Sequence, residues 1–212
     1  MAISNMRRQY SMGTLTKEAL PLDPMVLFDT WLNDAIEAKI PDPTAMTVAT
    51  VNEQGQPSQR IVLLKEVTRE GFVFYTNFGS RKARELSGNA RVSLHFPWFF
   101  MERQVSVRGV AEKLSATHNA AYFFSRPIDS QLAAYASRQS QPIDDKKTLL
   151  TRFAQLKEQY SDNTLPAPDF WGGFLIKPSQ IEFWQGGVDR LHDRFEYTRG
   201  SGESWDAQRL MP

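Results

Sequence analysis

The stretch TAMTVATVNEQGQPSQRIVLLKEVTREGFVFYTN, residues 44–77, decides the fold class. It holds three runs rich in β-branched and aromatic residues, 44–52, 58–67 and 71–77, with the short turn sequences EQGQP and TREG between them. Runs of this composition predict strands. Turns this short join neighbouring strands that run antiparallel. We therefore expect an antiparallel sheet at the centre of the fold.

Further strand-like runs lie on both sides of a helical middle region. The runs 90–96 and 103–114 precede it, and the segments WGGFLIKP, QIEFWQ and RLHDRFEYT follow it. The middle region, at about 115–160, is interrupted at Pro127 and has an amphipathic helical pattern over 143–160. This order predicts a mainly β fold, a closed or nearly closed antiparallel barrel with helices packed around it.

We divide the chain into one domain and a short arm. Its 212 residues are 41% hydrophobic, which is enough for a single buried core. Residues 1–20 are polar and predict a mobile N-terminal arm. Residues 21–212 form the barrel domain, with the helical insert at about 115–160. Asp23 and Pro24 predict its first helix, since a capping acid before proline is typical of a helix start.

Composition and charge exclude several classes of protein. A net charge of +1 argues against a general nucleic-acid-binding chain, and the lack of cysteine excludes disulfides and thiolate metal sites. His95, His118 and His192 lie too far apart for a local metal motif, so we predict no metal. There is no signal-peptide core and no run near ~18 apolar residues. We expect a cytoplasmic protein that does not enter membranes.

A second stretch, IEFWQGGVDRLHDRF at 181–195, combines aromatic and cationic residues. Its glycine pair predicts a hairpin turn, because glycine tolerates the backbone angles of tight turns. In a strand after that turn, alternation would put Arg190, His192 and Arg194 on one face. That face is either a solvated surface or an anion-binding wall, in which His192 could titrate near neutral pH.

The run RIVLLK at 60–65 begins and ends with a charged residue. Arg60 and Lys65 stand on opposite faces of the predicted strand, at the two ends of an apolar stretch. Either both side chains simply reach solvent, or they contact an anionic ligand at the mouth of the barrel.

The segment YTNFGSRKA at 75–83 predicts a strand end, a turn and a helix capped by Ser80. Backbone N–H groups at a helix start, together with Arg81 and Lys82, suit a phosphate. The spacing is neither that of a P-loop nor that of a dinucleotide-binding turn. The segment is therefore either a phosphate site of another kind or an ordinary capped surface helix.

In the segment YFFSRPIDSQ, Tyr122, Arg126 and Ser130 are spaced four apart. They would share one face of a helix if Pro127 permits a continuous helix. Two hydroxyls and a guanidinium on one face suit a phosphate, although a polar outer face would look the same. No catalytic triad or paired carboxylate accompanies these cationic groups, so a cofactor would carry the hard chemistry of any reaction.

Several segments resemble the pyridoxamine/pyridoxine 5′-phosphate oxidase family in order: RIVLLK, YTNFGSRKA, FPW, ERQV, SRPxDSQ, FWGGF, EFWQ and RLHDR. The resemblance runs from about Arg7 to Pro212. It implies a Greek-key split β-barrel, a homodimer with FMN at the subunit interface, and no further cofactor. It also implies oxidation of pyridoxamine and pyridoxine 5′-phosphate to pyridoxal 5′-phosphate. Hydride would pass to FMN, and O2 would reoxidise the flavin and give H2O2.

The resemblance also implies roles for individual residues. Cofactor contacts from one subunit would be Arg60, Ile61, Val62, Leu63, Leu64, Lys65, Tyr75, Thr76, Arg81, Lys82 and Gln104. Those from the partner subunit would be Gln139, Ser140, Trp184 and Arg194. Substrate phosphate would be bound by Lys65, Tyr122, Arg126 and Ser130. The catalytic residues would be Arg190 and His192, over the substrate ring, and Arg7 and Tyr10 in the arm would close over the substrate.

Two other functions fit parts of the same pattern. One is a related split-barrel flavin reductase or F420-dependent oxidase, although SRPxDSQ and RLHDR argue against it. The other is a carrier that binds flavin or pyridoxal phosphate without turnover. A small departure from the family pattern is Gln141 after Ser140, where a second serine is usual.

Overall fold

A computed structural model describes residues 3–5, 8–161 and 165–212. Nine strands occur in this part of the chain and form one antiparallel sheet. The strands are β1 (Ala45–Val51), β2 (Pro57–Leu63), β3 (Glu66–Thr68), β4 (Gly71–Asn77), β5 (Arg91–Trp98), β6 (Arg103–Lys113), β7 (Trp171–Gln185), β8 (Asp193–Arg199) and β9 (Trp205–Arg209).

Five α-helices and four short 3-10 turns accompany the sheet in the described residues. The helices are α1 (Pro24–Glu37), α2 (Arg81–Gly88), α3 (Ala116–Ser125), α4 (Ile128–Ala136) and α5 (Lys146–Gln159). The 3-10 turns are Ile3–Asn5, Lys17–Ala19, Phe99–Met101 and Val188–Arg190. Within the described ranges, no helix has both the length and the apolar character needed to cross a membrane.

The sheet follows the order β2-β1-β5-β6-β7-β4-β3, and β8 pairs with β7 and β9. It curls so that β2 and β4 line one cavity. Lys65, just after β2, helps to close the gap because its N–H donates to the carbonyl of Val73 on β4 (2.9 Å). The expected antiparallel split barrel with peripheral helices is therefore confirmed.

Two strand predictions were wrong in their boundaries. The run 58–67 is two strands, because Leu64 turns into the core and is only 3% exposed. Conversely, the two runs expected on either side of Pro178 form the single 15-residue strand β7. Proline removes one donor from the ladder. The pairing of β7 with β6 shifts register beside this proline: Gly109 lies opposite Pro178 and Arg108 opposite Gln180, which leaves Ser179 of β7 without a partner on β6.

Helix α1 fills the inside of the curled sheet. The Asp23 carboxylate accepts a hydrogen bond from the N–H of Met25 (2.9 Å), which confirms the predicted helix start. Phe28 is fully buried, and its ring lies 4.8 Å from that of Phe72 and 4.9 Å from that of Phe96. These edge-on contacts join α1 to two distant strands.

Helices α3, α4 and α5 lie between β6 and β7, in the stretch where a helical insert is expected. Pro127 interrupts them as predicted, since α3 ends at Ser125 and α4 begins at Ile128. The helices have a small core of their own, which contains Phe123, Leu132, Leu165 and Trp171. Trp171 opens β7, so this core is attached directly to the sheet.

The N-terminal segment lies against the barrel from Arg8 onward. Leu15 is buried, and its N–H donates to the carboxylate of Asp193 (2.9 Å). The hydroxyl of Tyr197 donates to the carbonyl of Pro21 (2.9 Å). The expected mobility of residues 1–20 stays a prediction, and Arg7 lies outside the described residues.

The Phe28→Ala variant tests whether α1 holds the two sides of the barrel together. We expect the free energy of unfolding to fall by about 3–5 kcal/mol, because the substitution leaves a cavity between β4 and β5. Val26→Ala is the matched control on the same helix, where the side chain is 54% exposed, and we expect a change of at most ~0.5 kcal/mol. Urea denaturation measures both. Equal losses would contradict this role of α1.

Candidate active site

A cavity of about 450 Å³ lies between strands β2 and β4 and helices α3 and α4. We call it the main cavity. Most residues expected to bind the cofactor or the substrate phosphate line it. They are Ile61, Val62, Leu63, Lys65, Tyr75, Thr76, Lys82, Tyr122, Arg126, Ser130 and Gln139. Side chains that are up to 78 positions apart in the sequence therefore meet in one place.

One wall of the main cavity is a stack of aromatic rings. The rings of Tyr75 and Tyr122 are nearly parallel at 3.8 Å, and the ring of Trp171 lies 5.4 Å from that of Tyr75. Burial raises the pKa of Tyr75 to about 12, with smaller contributions from Glu66 and Tyr122. Burial also raises the pKa of Tyr122. Both phenols therefore remain protonated O–H donors near neutral pH.

Arg126 brings a half-buried positive charge to this wall. Its guanidinium lies 4.5 Å above the ring of Trp171, and burial lowers its pKa. The Nη1 atom is buried and has no hydrogen-bond partner among the described residues. A buried donor without a partner is unfavourable, and an anion in the cavity would supply the missing acceptor.

Arg126, Tyr122 and Ser130 do not share a continuous helical face, because Pro127 does not permit the continuous helix that this expectation required. Arg126 has an extended backbone (ψ 150°) and forms the break between α3 and α4. The break turns the chain, and all three side chains still line the main cavity. Proline causes this break, because it disfavours the helical conformation in the residue before it.

Lys82 supplies a second cation at the same cavity. It lies in the first turn of α2, which Ser80 caps as predicted, and is only 7% exposed. Its ammonium donates to the Thr76 hydroxyl (3.1 Å) and the Gln139 side-chain oxygen (3.5 Å). Burial, and then the charge of Arg60, lower its pKa to about 8. A buried ammonium bound only to neutral groups is suited to a phosphate.

Several expected cofactor residues differ from their predicted placement, and seven of them do not line the main cavity. Gln139, expected from the partner subunit, lines the main cavity of its own chain. The Arg60 guanidinium lies 3.3 Å from the Glu85 carboxylate and ties β2 to α2. Leu64 is buried in the core. The expected residues that do not line the main cavity are Arg60, Leu64, Arg81, Gln104, Ser140, Trp184 and Arg194.

A second cluster forms at the far end of β7. The Trp184 and His192 rings lie 4.6 Å apart, and Tyr10 meets both edge-on, at 5.7 and 5.4 Å. The N–H of Gly187 donates to Nδ1 of His192 (3.1 Å). Burial, then the charges of Arg190 and Arg194, lower the pKa of His192. The imidazole is therefore neutral near pH 7, and its Nε2 carries the proton.

The expected row of three cationic residues on one strand was wrong. β7 and β8 do form the predicted antiparallel hairpin, but β8 begins only at Asp193. Asp189 and Arg190 have left-handed backbones (φ 53° and 65°), which ends the alternation assumed from sequence. Arg194 is on the strand and pairs with the Glu182 carboxylate at 2.8 Å.

The two clusters are well separated within one chain. Cross-strand pairing puts one row of residues across the sheet: Ile61, Thr47, His95, Ser106 and Glu182. Ile61 at the main cavity and Glu182, two residues before Trp184, are therefore four strand spacings apart, or roughly 19 Å along the curled sheet. One chain does not bring His192 and Arg126 together at a single small ligand.

Trp171 lines the main cavity, although no role was predicted for it from the sequence. The motif FWGGF contains it, and that motif was the available signal. Steric crowding explains the two glycines of this motif. A Cβ on Gly173 would lie 2.9 Å from the ring of Tyr75, and a Cβ on Gly172 would lie 2.5 Å from the side chain of Asn119. The described residues contain no group of three or more metal-ligating side chains.

Comparison with known families gives two matches that together span most of the chain. Residues 32–160 match the family described as pyridoxamine 5′-phosphate oxidase. Residues 171–212 match the region described as the pyridoxine 5′-phosphate oxidase C-terminal dimerisation region. The first match contains the main cavity apart from Trp171, and the second contains Trp184, Arg190 and His192.

Individual relatives agree with these matches. The pyridoxine/pyridoxamine 5′-phosphate oxidase of Alteromonas mediterranea is 67% identical over 212 residues, and each chain is covered completely. That of Pseudoalteromonas atlantica is 59% identical, with 99% of each chain covered. Among solved structures, PhzG from Burkholderia lata with tetrahydrophenazine-1-carboxylic acid is 30% identical. Its TM-score is 0.88, and the match covers 94% of this chain and 98% of that one.

The Trp171→Leu variant tests the aromatic support of Arg126. A cation–π contact at a desolvated site contributes about 1 kcal/mol or more, so phenyl phosphate should bind roughly five- to tenfold more weakly. Trp205→Leu is the matched control, because Trp205 also lies under an arginine, Arg199 at 5.4 Å, away from the cavity. Calorimetric titration measures both, and thermal melting checks folding. An equal loss in the control would contradict the role of Trp171.

Proposed function

Because the chain belongs to the pyridoxamine 5′-phosphate oxidase family, we propose that it oxidises pyridoxamine 5′-phosphate and pyridoxine 5′-phosphate to pyridoxal 5′-phosphate. The observation that carries this proposal is a pair of cations at one aromatic-walled cavity: the buried ammonium of Lys82 and the half-buried Arg126, whose Nη1 atom is buried. Neither has a carboxylate partner among the described residues. Two such sites suit two phosphates, one on the substrate and one on the cofactor.

FMN is the cofactor that this arrangement fits. Lys82, with Thr76 and Gln139 beside it, would bind the flavin phosphate. Ile61 and Leu63 on β2 are apolar but 72% and 42% exposed, which suits them to cover a flat ring system. Bound FMN would accept a hydride from the substrate carbon and return the electrons to O2.

The overall reaction balances for both substrates. Pyridoxine phosphate and O2 give pyridoxal phosphate and H2O2. Pyridoxamine phosphate also consumes one water and releases ammonia. In both cases the carbon bearing the alcohol or amine loses two electrons, and dioxygen gains them.

We propose that the active site is completed by a second copy of the chain. Trp184 and His192 do not line the main cavity of their own chain. Four strand spacings, roughly 19 Å along the curled sheet, lie between Ile61 at that cavity and Glu182 near Trp184. The region that contains them, 171–212, matches a family region described as a dimerisation region. In a two-fold dimer, each protomer would present this cluster to its partner's cavity. FMN would then lie at the interface.

The residues of the second cluster would orient the substrate. Arg190 stays charged and cannot act as a base, so we assign it electrostatic steering of the substrate ring. His192 has its Nδ1 occupied by the N–H of Gly187, so its Nε2–H would donate to a substrate oxygen. Tyr10 packs against this imidazole and would cover it from solvent. In the main cavity, Arg126, Lys65, Tyr122 and Ser130 would hold the substrate phosphate.

The oxidase and the carrier differ in whether substrate is turned over. We expect the protein loaded with FMN to convert pyridoxamine 5′-phosphate in air, with one H2O2 for each aldehyde formed. Absorbance measures the aldehyde, and a coupled peroxidase measures H2O2. Arg126→Ala should raise KM by roughly ten- to hundredfold, the usual contribution of an arginine–phosphate contact. Binding or bleaching without aldehyde would favour the carrier.

Affinity for FMN should depend on the protonation of Lys82. Its ammonium is charged below its pKa of about 8 and neutral above it. A phosphate favours the charged form, so affinity should be highest below pH 8. It should then fall by up to about tenfold per pH unit as pH rises through 8. The affinity is measured by quenching of flavin fluorescence between pH 7.5 and 9.5. This interval spans roughly two pH units and includes the pKa of Lys82.

Lys82→Met is the control for this pH dependence. It should bind FMN more weakly throughout, with little change across the same interval, because it has no titrating group at that point. A parent protein whose affinity is flat with pH would show that Lys82 does not bind the flavin phosphate.

A further inference from the structure

A short segment of the N-terminal arm lies across the second cluster, and one buried carboxylate holds it there. We call residues 8–12 the strap. Glu102 is 5% exposed and belongs to the motif ERQV, and the reaction described above assigns no role to Glu102 itself. It follows the 3-10 turn Phe99–Met101 and has a left-handed backbone, with φ 54°. This conformation ends the turn just before β6 begins.

The Glu102 side chain binds the backbone of the strap. Its Oε2 accepts from the N–H groups of Ser11 (2.7 Å) and Met12 (3.0 Å). Its Oε1 lies 3.8 Å from the guanidinium of Arg8, which itself donates to the carbonyl of Phe99 (2.8 Å). Hydrogen bonds to a buried charged acceptor are among the stronger ones in proteins. The strap is therefore held at three residues, Arg8, Ser11 and Met12.

This fixed strap places Tyr10 against the catalytic histidine. Tyr10 immediately precedes Ser11, and its ring lies edge-on to those of Trp184 (5.7 Å) and His192 (5.4 Å). Gly186 makes room for it, because a Cβ at that position would lie 2.9 Å from the Tyr10 ring and 3.0 Å from the Glu102 Cβ. The surface under the strap is thus shaped for Tyr10.

A second contact of the arm is independent of Glu102. The N–H of Leu15 donates to the Asp193 carboxylate (2.9 Å), and Leu15 itself is buried in the main core. Loss of the Glu102 contacts should therefore release the strap alone. The chain beyond Leu15 should stay attached.

We propose that Glu102 is a positioning residue of the active site. Its carboxylate holds the strap so that Tyr10 packs on His192 and encloses the substrate beside Arg190, which lines a small cavity with Arg8 and Tyr10. The role in turnover rests on the proposed oxidase function, whereas the anchoring of the strap does not. The two parts are therefore separable by experiment.

The test compares Glu102→Ala and Glu102→Gln with the matched control Glu112→Ala. Glu112 lies near the far end of β6, the strand that Glu102 immediately precedes, and there it is exposed and pairs with Lys177. Backbone amide exchange is measured in the FMN-loaded protein. Glu102→Ala should speed exchange at Ser11 and Met12 by about tenfold or more, as expected for loss of charge-assisted hydrogen bonds. Exchange at Leu15 should not change.

Steady-state kinetics with pyridoxamine 5′-phosphate give the second readout. Glu102→Ala should lower kcat/KM by about tenfold, in line with a misplaced substrate-covering group. Glu102→Gln keeps the volume and one acceptor oxygen, so it should recover part of both effects. Glu112→Ala should match the parent in both measurements.

Each outcome decides a separate point. Unchanged exchange at Ser11 and Met12 in Glu102→Ala would overturn the anchoring. Faster exchange with unchanged kcat/KM would overturn the positioning role. If Glu102→Ala does not fold, Gly186→Ala serves in its place, because its Cβ displaces Tyr10 and should give the same two effects. If the unsubstituted protein has no oxidase activity, the proposed function is wrong. The amide-exchange measurement would then still test whether Glu102 anchors the strap.

Discussion

The pairing of β7 is the constraint on which the rest of the structure depends. This strand is hydrogen-bonded to β6 along nearly its whole length. Its other edge is divided, with β4 on the first part, Trp171–Ile176, and β8 on the last part, Gln180–Gln185. One strand thus belongs to both arms of the curled sheet. Trp171 at one end supports Arg126, and Trp184 at the other end supports His192.

Much of the fold could be predicted from local signals. The strand 71–77 and the starts of α1 and α2 were found correctly, because capping residues, short turns and alternation are local. The errors have tertiary causes. Leu64 leaves its strand to enter the core, and Pro178 stays within β7, where the pairing with β6 shifts register at the adjacent Ser179. Neither feature can be predicted from the residues that are adjacent in the sequence.

The candidate site was predictable in its chemistry and less so in its geometry. Tyr122, Arg126, Ser130 and Lys82 were identified by residue type and family motif, and the fold brings them to one cavity. The strand assumed through Arg190 failed, because left-handed backbones in ordinary residues leave no clear sequence signal. Trp171 and Glu102 were not predicted, because their roles depend on contacts with residues distant in the sequence: Trp171 with Arg126, and Glu102 with the strap.

The edge strand β2 has a consequence for handling the protein. It pairs with β1 on one side, and no strand in the described part of the chain pairs with its other side. Ile61 and Leu63 project from it, 72% and 42% exposed. Open strand edges with apolar side chains are templates for uncontrolled association. In the proposed dimer, flavin and the second copy of the chain would cover this edge, so a preparation without flavin should be the more prone to aggregate.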